Sequence, residues 1–191
     1  AGLGLPMCTY TAVLVADSSI PVWHEGRHEL PFLFAGSAAA SAGAMAALLA
    51  PASEALPARR LTVAGAAGEL VAAEVMKHRL GELAQPYRHG DAGRWSRAAT
   101  ACTATGAALV ALAGRSALHH HRSGPFRGCD SHRSGGQNAL GVLGAALVLA
   151  GGFCQRWAVF RAGFASARDP RYVVGPQRRR RDSSQSDVTA G

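Results

Sequence analysis

The sequence predicts an all-α protein: a polytopic bundle of about five transmembrane helices followed by a basic, disordered C-terminal tail. Of its 191 residues, 48% are hydrophobic and only 17% are charged. The charges are also segregated, since eight of the twenty Lys and Arg residues fall within residues 156–181. The remaining Ala/Gly/Leu/Val segments lack the regularly spaced Glu and Lys of a soluble amphipathic helix. They are therefore typical of helices in a membrane.

Five apolar segments are long enough to span a bilayer. Crossing the hydrocarbon core takes about 20 mostly apolar residues, with a range of about 17–25. The segments that qualify are residues 5–23, 30–50, 61–80, 98–114 and 138–160. We therefore assign residues 1–165 to the helical bundle. Residues 166–191, which are basic and end in a Ser/Asp-rich stretch, are predicted to form a disordered cytoplasmic tail.

The five segments differ in quality. The first ends at Trp23, a residue type enriched at the membrane interface, and the second ends before Pro51. The third is interrupted by Glu69 and Glu74, the fourth is short, and the fifth is free of charge until Arg156. Small residues recur at spacings that permit close helix packing, although the general abundance of Ala and Gly explains them equally well. They are Gly36, Ala39, Ala40, Gly43, Gly141, Gly144 and Ala145.

The distribution of Lys and Arg predicts the orientation of the chain. With five spans, residues 24–29, 77–97 and 156–191 lie on one side and carry fourteen Lys and Arg, whereas the other side carries six. Because cytoplasmic loops are enriched in these residues, we predict a multi-pass cell-membrane protein with a cytoplasmic C-terminus. No positively charged region precedes the first apolar segment, which fits a secretory signal poorly. We expect further helices upstream.

Two carboxylates inside the predicted spans, Asp17 and Glu69, are candidates for a proton path. Ionisable groups at such depth usually face the interior of a bundle and mark ion, proton or substrate pathways. For Asp17 the alternative is a helix that ends early, with residues 17–19 forming a capping turn. The sequence leaves both interpretations open.

Tyr10 is the candidate for binding the carbonyl group of a ligand. It lies seven residues before Asp17, near the outer end of the same predicted helix. A tyrosine hydroxyl can donate a hydrogen bond to a carbonyl while the ring packs on an apolar head group. The alternative is a tyrosine of the interfacial aromatic belt.

The remaining polar motifs are predicted to be structural. Glu74 has Lys77 and His78 within pairing distance on a helix. "HEGRHE" at residues 24–29 reads as a charged, solvated loop, and "HHHRSGPFRGCDSH" at residues 119–132 matches no closed zinc motif. We predict no metal site and no bound redox cofactor, since a Gly-rich phosphate loop, CxxCH and a cysteine cluster are all missing from the sequence. Nothing in it indicates a nucleic-acid partner.

Three stretches resemble a known family. They are "YTAVLVADSSIPVWHEGRHELPFLFAGSAAASAGA", "ARRLTVAGAAGELVAAEVMKHRLG" and "CQRWAVFRAGFASARDPRYVVGPQRRR". Together they are similar to the NrfD-type membrane subunit of polysulphide reductase-like complexes, most of all to its actinobacterial branch. The resemblance covers about residues 3–181 and is weakest at residues 115–137.

The resemblance implies a non-catalytic membrane subunit of an oxidoreductase complex. Such a subunit has eight or more helices, so this chain would be its C-terminal portion. It exchanges electrons between the quinone pool and a four-cluster ferredoxin-like iron–sulphur partner, which serves a molybdopterin subunit. Menaquinone-type quinone would be a substrate, and Tyr10 matches the family's quinone-site tyrosine best.

Two other functions remain open on the sequence alone. A secondary transporter could use Asp17 and Glu69 as coupling carboxylates, although the five segments contain no visible inverted repeat. A structural anchor, or a truncated product without activity, would need neither residue. Binding of a quinone analogue distinguishes the first function from both of these.

Overall fold

The protein is all-helical in the part of the chain that the structure describes. The computed structural model describes residues 4–51, 54–122 and 131–168, and no β-strand occurs among them. The helices are α1 (Gly4–Ala16), α2 (Pro21–Glu25), α3 (Leu30–Leu49), α4 (Leu56–Leu80), α5 (Gln85–Arg88), α6 (Gly90–Arg122) and α7 (Ser131–Arg168), with a short 3-10 turn at Gly81–Ala84. The predicted all-α class is confirmed. Most of the predicted tail, residues 169–191, lies outside the described residues.

The helix ends follow from prolines and glycines. Pro31 and Pro57 each lie in the first turn of their helix, where the missing amide hydrogen has no intrahelical role. α4 ends at Gly81, whose φ of 52° favours glycine. The last turn of α4 is basic, which suits the negative end of the helix dipole; it contains Lys77, His78 and Arg79.

The helices pack as two antiparallel pairs, α3 with α4 and α6 with α7, and α3 also packs on α7. Glycines set the close approach within each pair. A Cβ atom at Gly43 would lie 2.6 Å from the Thr62 amide nitrogen, and one at Gly106 would lie 2.7 Å from the Gly144 carbonyl oxygen. The small residues therefore do form packing contacts at these positions, as expected for helices that pack backbone to backbone.

The first predicted span is divided in the structure. α1 ends at Ala16, a turn follows, and α2 begins at Pro21. Trp23 is only 9% exposed, so it does not have the interfacial position that its sequence context predicted. Its Nε1 donates a hydrogen bond to the Val159 carbonyl oxygen of α7 at 3.0 Å, and its ring meets Phe164 edge-on. The tryptophan thus ties α2 to the last helix.

The bundle exposes several large hydrophobic side chains and buries several polar ones. Large hydrophobic side chains on four different helices are between 62% and 79% exposed; they are Met7, Phe32, Leu49, Val71 and Phe153. Buried polar side chains include Ser37, Thr62, Glu69, Thr103 and Gln155. Within the described residues, two helical segments are long and apolar enough to cross a membrane, Leu30–Leu49 and Ala139–Arg168, and a shorter apolar segment is Met7–Ala16.

Candidate functional site

The carboxyl group of Glu69 lies buried near the middle of α4. The residue is 2% exposed, and neither carboxyl oxygen has a hydrogen-bond partner among the residues that the structure describes. An isolated carboxyl group in an apolar interior costs several kcal/mol, of order 2–7 even for a neutral polar group. An arrangement this costly is the main indication of a functional site in the bundle.

The close contact between α3 and α4 places the carboxyl group. A Cβ atom at Gly36 would lie 2.6 Å from the Glu69 amide nitrogen and 3.1 Å from the Gly65 carbonyl oxygen. Ser37, the next residue of α3, places its hydroxyl group beside the Glu69 carboxyl group. Ser37 is 1% exposed, and its Oγ also lacks a hydrogen-bond partner of good geometry within the described chain. Two adjacent buried polar groups are therefore left unsatisfied.

Helix α7 adds a positive charge to this region. The exposed Arg156 lies close enough to Glu69 for a charge–charge interaction, although the two do not form a direct ion pair. Gly152, one turn earlier, leaves a small notch: a Cβ atom there would lie 3.2 Å from Ser37 Oγ, 3.3 Å from Ser41 Oγ and 3.5 Å from Arg156 Nη1. We call the four residues Ser37, Ser41, Gly152 and Arg156 the Gly152 notch. It is the place where α3 and α7 bring hydrogen-bonding atoms together beside Glu69.

The three predicted site residues occupy different environments. Glu69 is buried, whereas Tyr10 is 58% exposed on the surface of α1. Asp17 is exposed in the turn after α1, and its amide nitrogen donates a hydrogen bond to the Val13 carbonyl oxygen at 2.9 Å. Ser18 Oγ donates to the Val15 carbonyl oxygen at 2.7 Å in the same turn. This geometry is that of a helix that ends before Asp17.

The predicted pairing of Glu74 is confirmed, since Lys77 Nζ lies 2.6 Å from Glu74 Oε1. A second ion pair was not predicted. Glu29, in the "HEGRHE" segment, is 7% exposed and accepts a hydrogen bond from Arg79 at 2.5 Å.

No group of three potential metal ligands occurs among residues 4–51, 54–122 and 131–168. The side chains of residues 119–130 and of His132 lie outside the described part of the chain.

The Gly152 notch was not predicted from the sequence. Its signal is a pair of four-residue spacings, Ser37 with Ser41 and Gly152 with Arg156, each of which places two residues on one face of a helix. Such spacing is common in an Ala/Gly-rich chain. Only the packing of α3 against α7 shows that the two faces meet.

Comparison of the chain with protein-family models, with curated proteins and with solved structures gives no match.

Proposed function

We propose that the protein is a polytopic membrane subunit that crosses the bilayer five times and has a cytoplasmic C-terminus. The exposed large hydrophobic side chains, the buried Glu69 carboxyl group and the two long apolar helices support a membrane environment. Helices α4 and α6 carry more polar residues than α3 and α7. Because α4 packs against α3 and α6 packs against α7, neither needs to be apolar on every face. The excess of Lys and Arg on one side supports the orientation.

Within that membrane role, we propose an NrfD-type subunit that passes electrons between menaquinone-type quinone and an iron–sulphur partner of a molybdopterin complex. The resemblance of about residues 3–181 to that family is the basis for the quinone and the partners. Oxidation of a quinol releases two electrons and two protons. The electrons would pass to the partner's iron–sulphur cluster, since no redox group is expected in this chain, and the protons need acceptors in the protein.

The observation that carries the proposal is the buried, unpartnered carboxyl group of Glu69. Buried ionisable groups in membrane bundles are costly and are found mainly on proton, ion or substrate paths. Ser37 and Arg156 are placed to stabilise the carboxylate after it releases a proton. Asp17, exposed at the end of α1, would be a surface acceptor on the same path. Tyr10 would donate a hydrogen bond to a quinone carbonyl from the exposed, lipid-facing side of α1.

The same buried carboxyl group also fits a secondary transporter, in which Glu69 and Asp17 would be coupling groups.

Quinone binding separates the two functions. The test is a titration of the protein in lipid nanodiscs with a menaquinone analogue, followed by the quenching of tryptophan fluorescence. Tryptophan quenching that saturates while the quinone analogue is still much less abundant than the lipid supports the quinone function. Quenching that rises only in proportion to the quinone dissolved in the bilayer, as in nanodiscs that hold an unrelated helical protein, contradicts it.

A further inference from the structure

A second feature lies between the beginning of α6 and the end of α7. There the two helices enclose an open groove with a volume of about 450 Å³. Its lining combines aromatic, basic and acidic side chains, chiefly His89, Asp91, Phe160, Arg161, Phe164 and Arg168. The orientation proposed above places this groove at the cytoplasmic end of the bundle. The proton path does not use it.

The groove carries an excess of positive charge. Arg161 Nη2 lies 2.7 Å from Asp91 Oδ2, and both side chains are substantially exposed, at 46% and 61%. A guanidinium group has five N–H donors, so this contact leaves most of the Arg161 donors available. Arg168 is exposed and has no ion pair within the described chain. The groove lining therefore contains two guanidinium groups and one carboxylate, and the excess positive charge favours an anionic ligand.

An aromatic surface continues from the groove along α7. Phe153, Trp157, Phe160 and Phe164 follow one another at intervals of four, three and four residues, which places them on one face of the helix. Each of these side chains is between 40% and 62% exposed. The neighbouring ring centroids are 6.4, 5.5 and 4.7 Å apart. We call these four residues the aromatic stripe; its apolar surface is continuous with the charged groove.

We propose that this groove binds an anionic phospholipid, with the phosphate held by Arg161 and Arg168 and an acyl chain lying along the aromatic stripe. Arg binds phosphate through paired, charge-assisted hydrogen bonds. Basic pockets between helices on the cytoplasmic side of a membrane suit anionic head groups. A free phosphate would use the arginines but not the aromatic stripe, so the joined surfaces favour a lipid. The inference requires a membrane protein but no quinone chemistry.

Native mass spectrometry tests this proposal. The full chain is mixed with lipid in detergent, and the detergent is removed in the spectrometer. We expect phosphatidylglycerol to remain bound at concentrations at which phosphatidylcholine of the same acyl chains is lost. The variant Arg161→Gln/Arg168→Gln should weaken phosphatidylglycerol binding on the order of tenfold, because each basic group near an anionic lipid contributes substantially to binding. Phe160→Ala should weaken it as well while leaving both arginines in place.

The matched control is Arg94→Gln/Arg97→Gln. It removes two exposed arginines from the first turns of α6, at the same end of the bundle but outside the groove. Binding should be unchanged in this variant, and circular dichroism should show equal helicity in all variants. An equal loss in the control, equal retention of the two lipids, or displacement of the lipid by millimolar glycerol phosphate would each overturn the proposal. Unchanged quinone binding in the groove variants separates this site from the proposed quinone function.

Discussion

Gly36 of α3 lies against the backbone of Glu69 in α4, so closely that a Cβ atom at position 36 would stand 2.6 Å from the Glu69 amide nitrogen. This contact brings the buried carboxyl group beside Ser37, which follows Gly36 in α3. The packing of two helices thereby determines the position of the candidate proton-carrying group. Changes at the contact between α3 and α4 should consequently alter both stability and function.

Gly65→Ala tests that packing. A Cβ atom at Gly65 would overlap the backbone of Ala40, so α3 and α4 must move apart. We expect a loss of about 1–3 kcal/mol of stability, typical of overpacking. The matched control is Gly68→Ala, three residues along α4, where nothing lies within 4 Å of an added Cβ atom. It should be neutral or stabilising by up to about 1 kcal/mol, because Ala favours helix more than Gly does.

Thermal unfolding in detergent, followed by circular dichroism, measures both changes. We expect a lower Tm for Gly65→Ala and an equal or higher Tm for Gly68→Ala. Equal Tm values in the two variants would contradict the close helix contact.

Glu69→Gln tests the proton path. The substitution keeps the size and shape of the side chain but removes its ability to exchange a proton. In membranes that hold the proposed complex, quinol-linked turnover should fall by about tenfold or more, because buried ionisable groups in membrane bundles usually serve proton or ion paths, whereas assembly should persist. The control is Glu74→Gln on the same helix, which removes an exposed carboxylate paired with Lys77. Turnover should be nearly unchanged there. Normal turnover in Glu69→Gln would show that the carboxyl group takes no part in proton transfer.

Tyr10→Phe tests the proposed quinone contact. It retains the exposed ring and removes one hydrogen bond, which contributes about 0.5–1.5 kcal/mol. The quinone-analogue Kd should therefore rise about two- to tenfold, measured by the same fluorescence titration. Tyr87→Phe is the matched control, because the Tyr87 hydroxyl is buried without a hydrogen-bond partner in the described residues. If both variants bind alike, Tyr10 is a surface tyrosine only.

The orientation is tested with reporters. Alkaline phosphatase is active outside the cytoplasm and green fluorescent protein fluoresces inside it, so paired fusions report the side of each site. A fusion after Arg181 should be cytoplasmic, and one within residues 115–137 should be external, because fourteen Lys and Arg lie on the predicted inner side and six on the outer side. Finding both sites on one side would contradict the fifth predicted span, residues 138–160.

Much of the helical architecture follows from the sequence, because its signals are local. The apolar Ala-rich run of α3 lies between Pro31 and Pro51, and those boundaries agree with the structure to within a residue or two. Glu69 could be identified because a charge in an apolar segment is visible without a fold. The pairing of Glu74 with Lys77 follows from helix geometry alone.

The features that the sequence did not predict depend on how distant helices meet. Trp23 looks like an interfacial residue until its indole is seen to reach Val159 of α7. The Gly152 notch joins residues more than 100 positions apart along the chain. The break after α1 was considered only as an alternative, because the apolar character of residues 5–23 outweighed the polar residues 17–19.

Reduction of the proposed partner's iron–sulphur clusters by a menaquinol analogue is the most direct test of the proposed quinone function. The measurement is electron paramagnetic resonance of native membranes, or of the complex isolated through a tag on this chain. We expect that clusters of a co-isolated iron–sulphur protein become reduced within seconds of quinol addition, and more slowly in Glu69→Gln. A folded, tagged chain that isolates without iron–sulphur signals, or with clusters that quinol does not reduce, would contradict it.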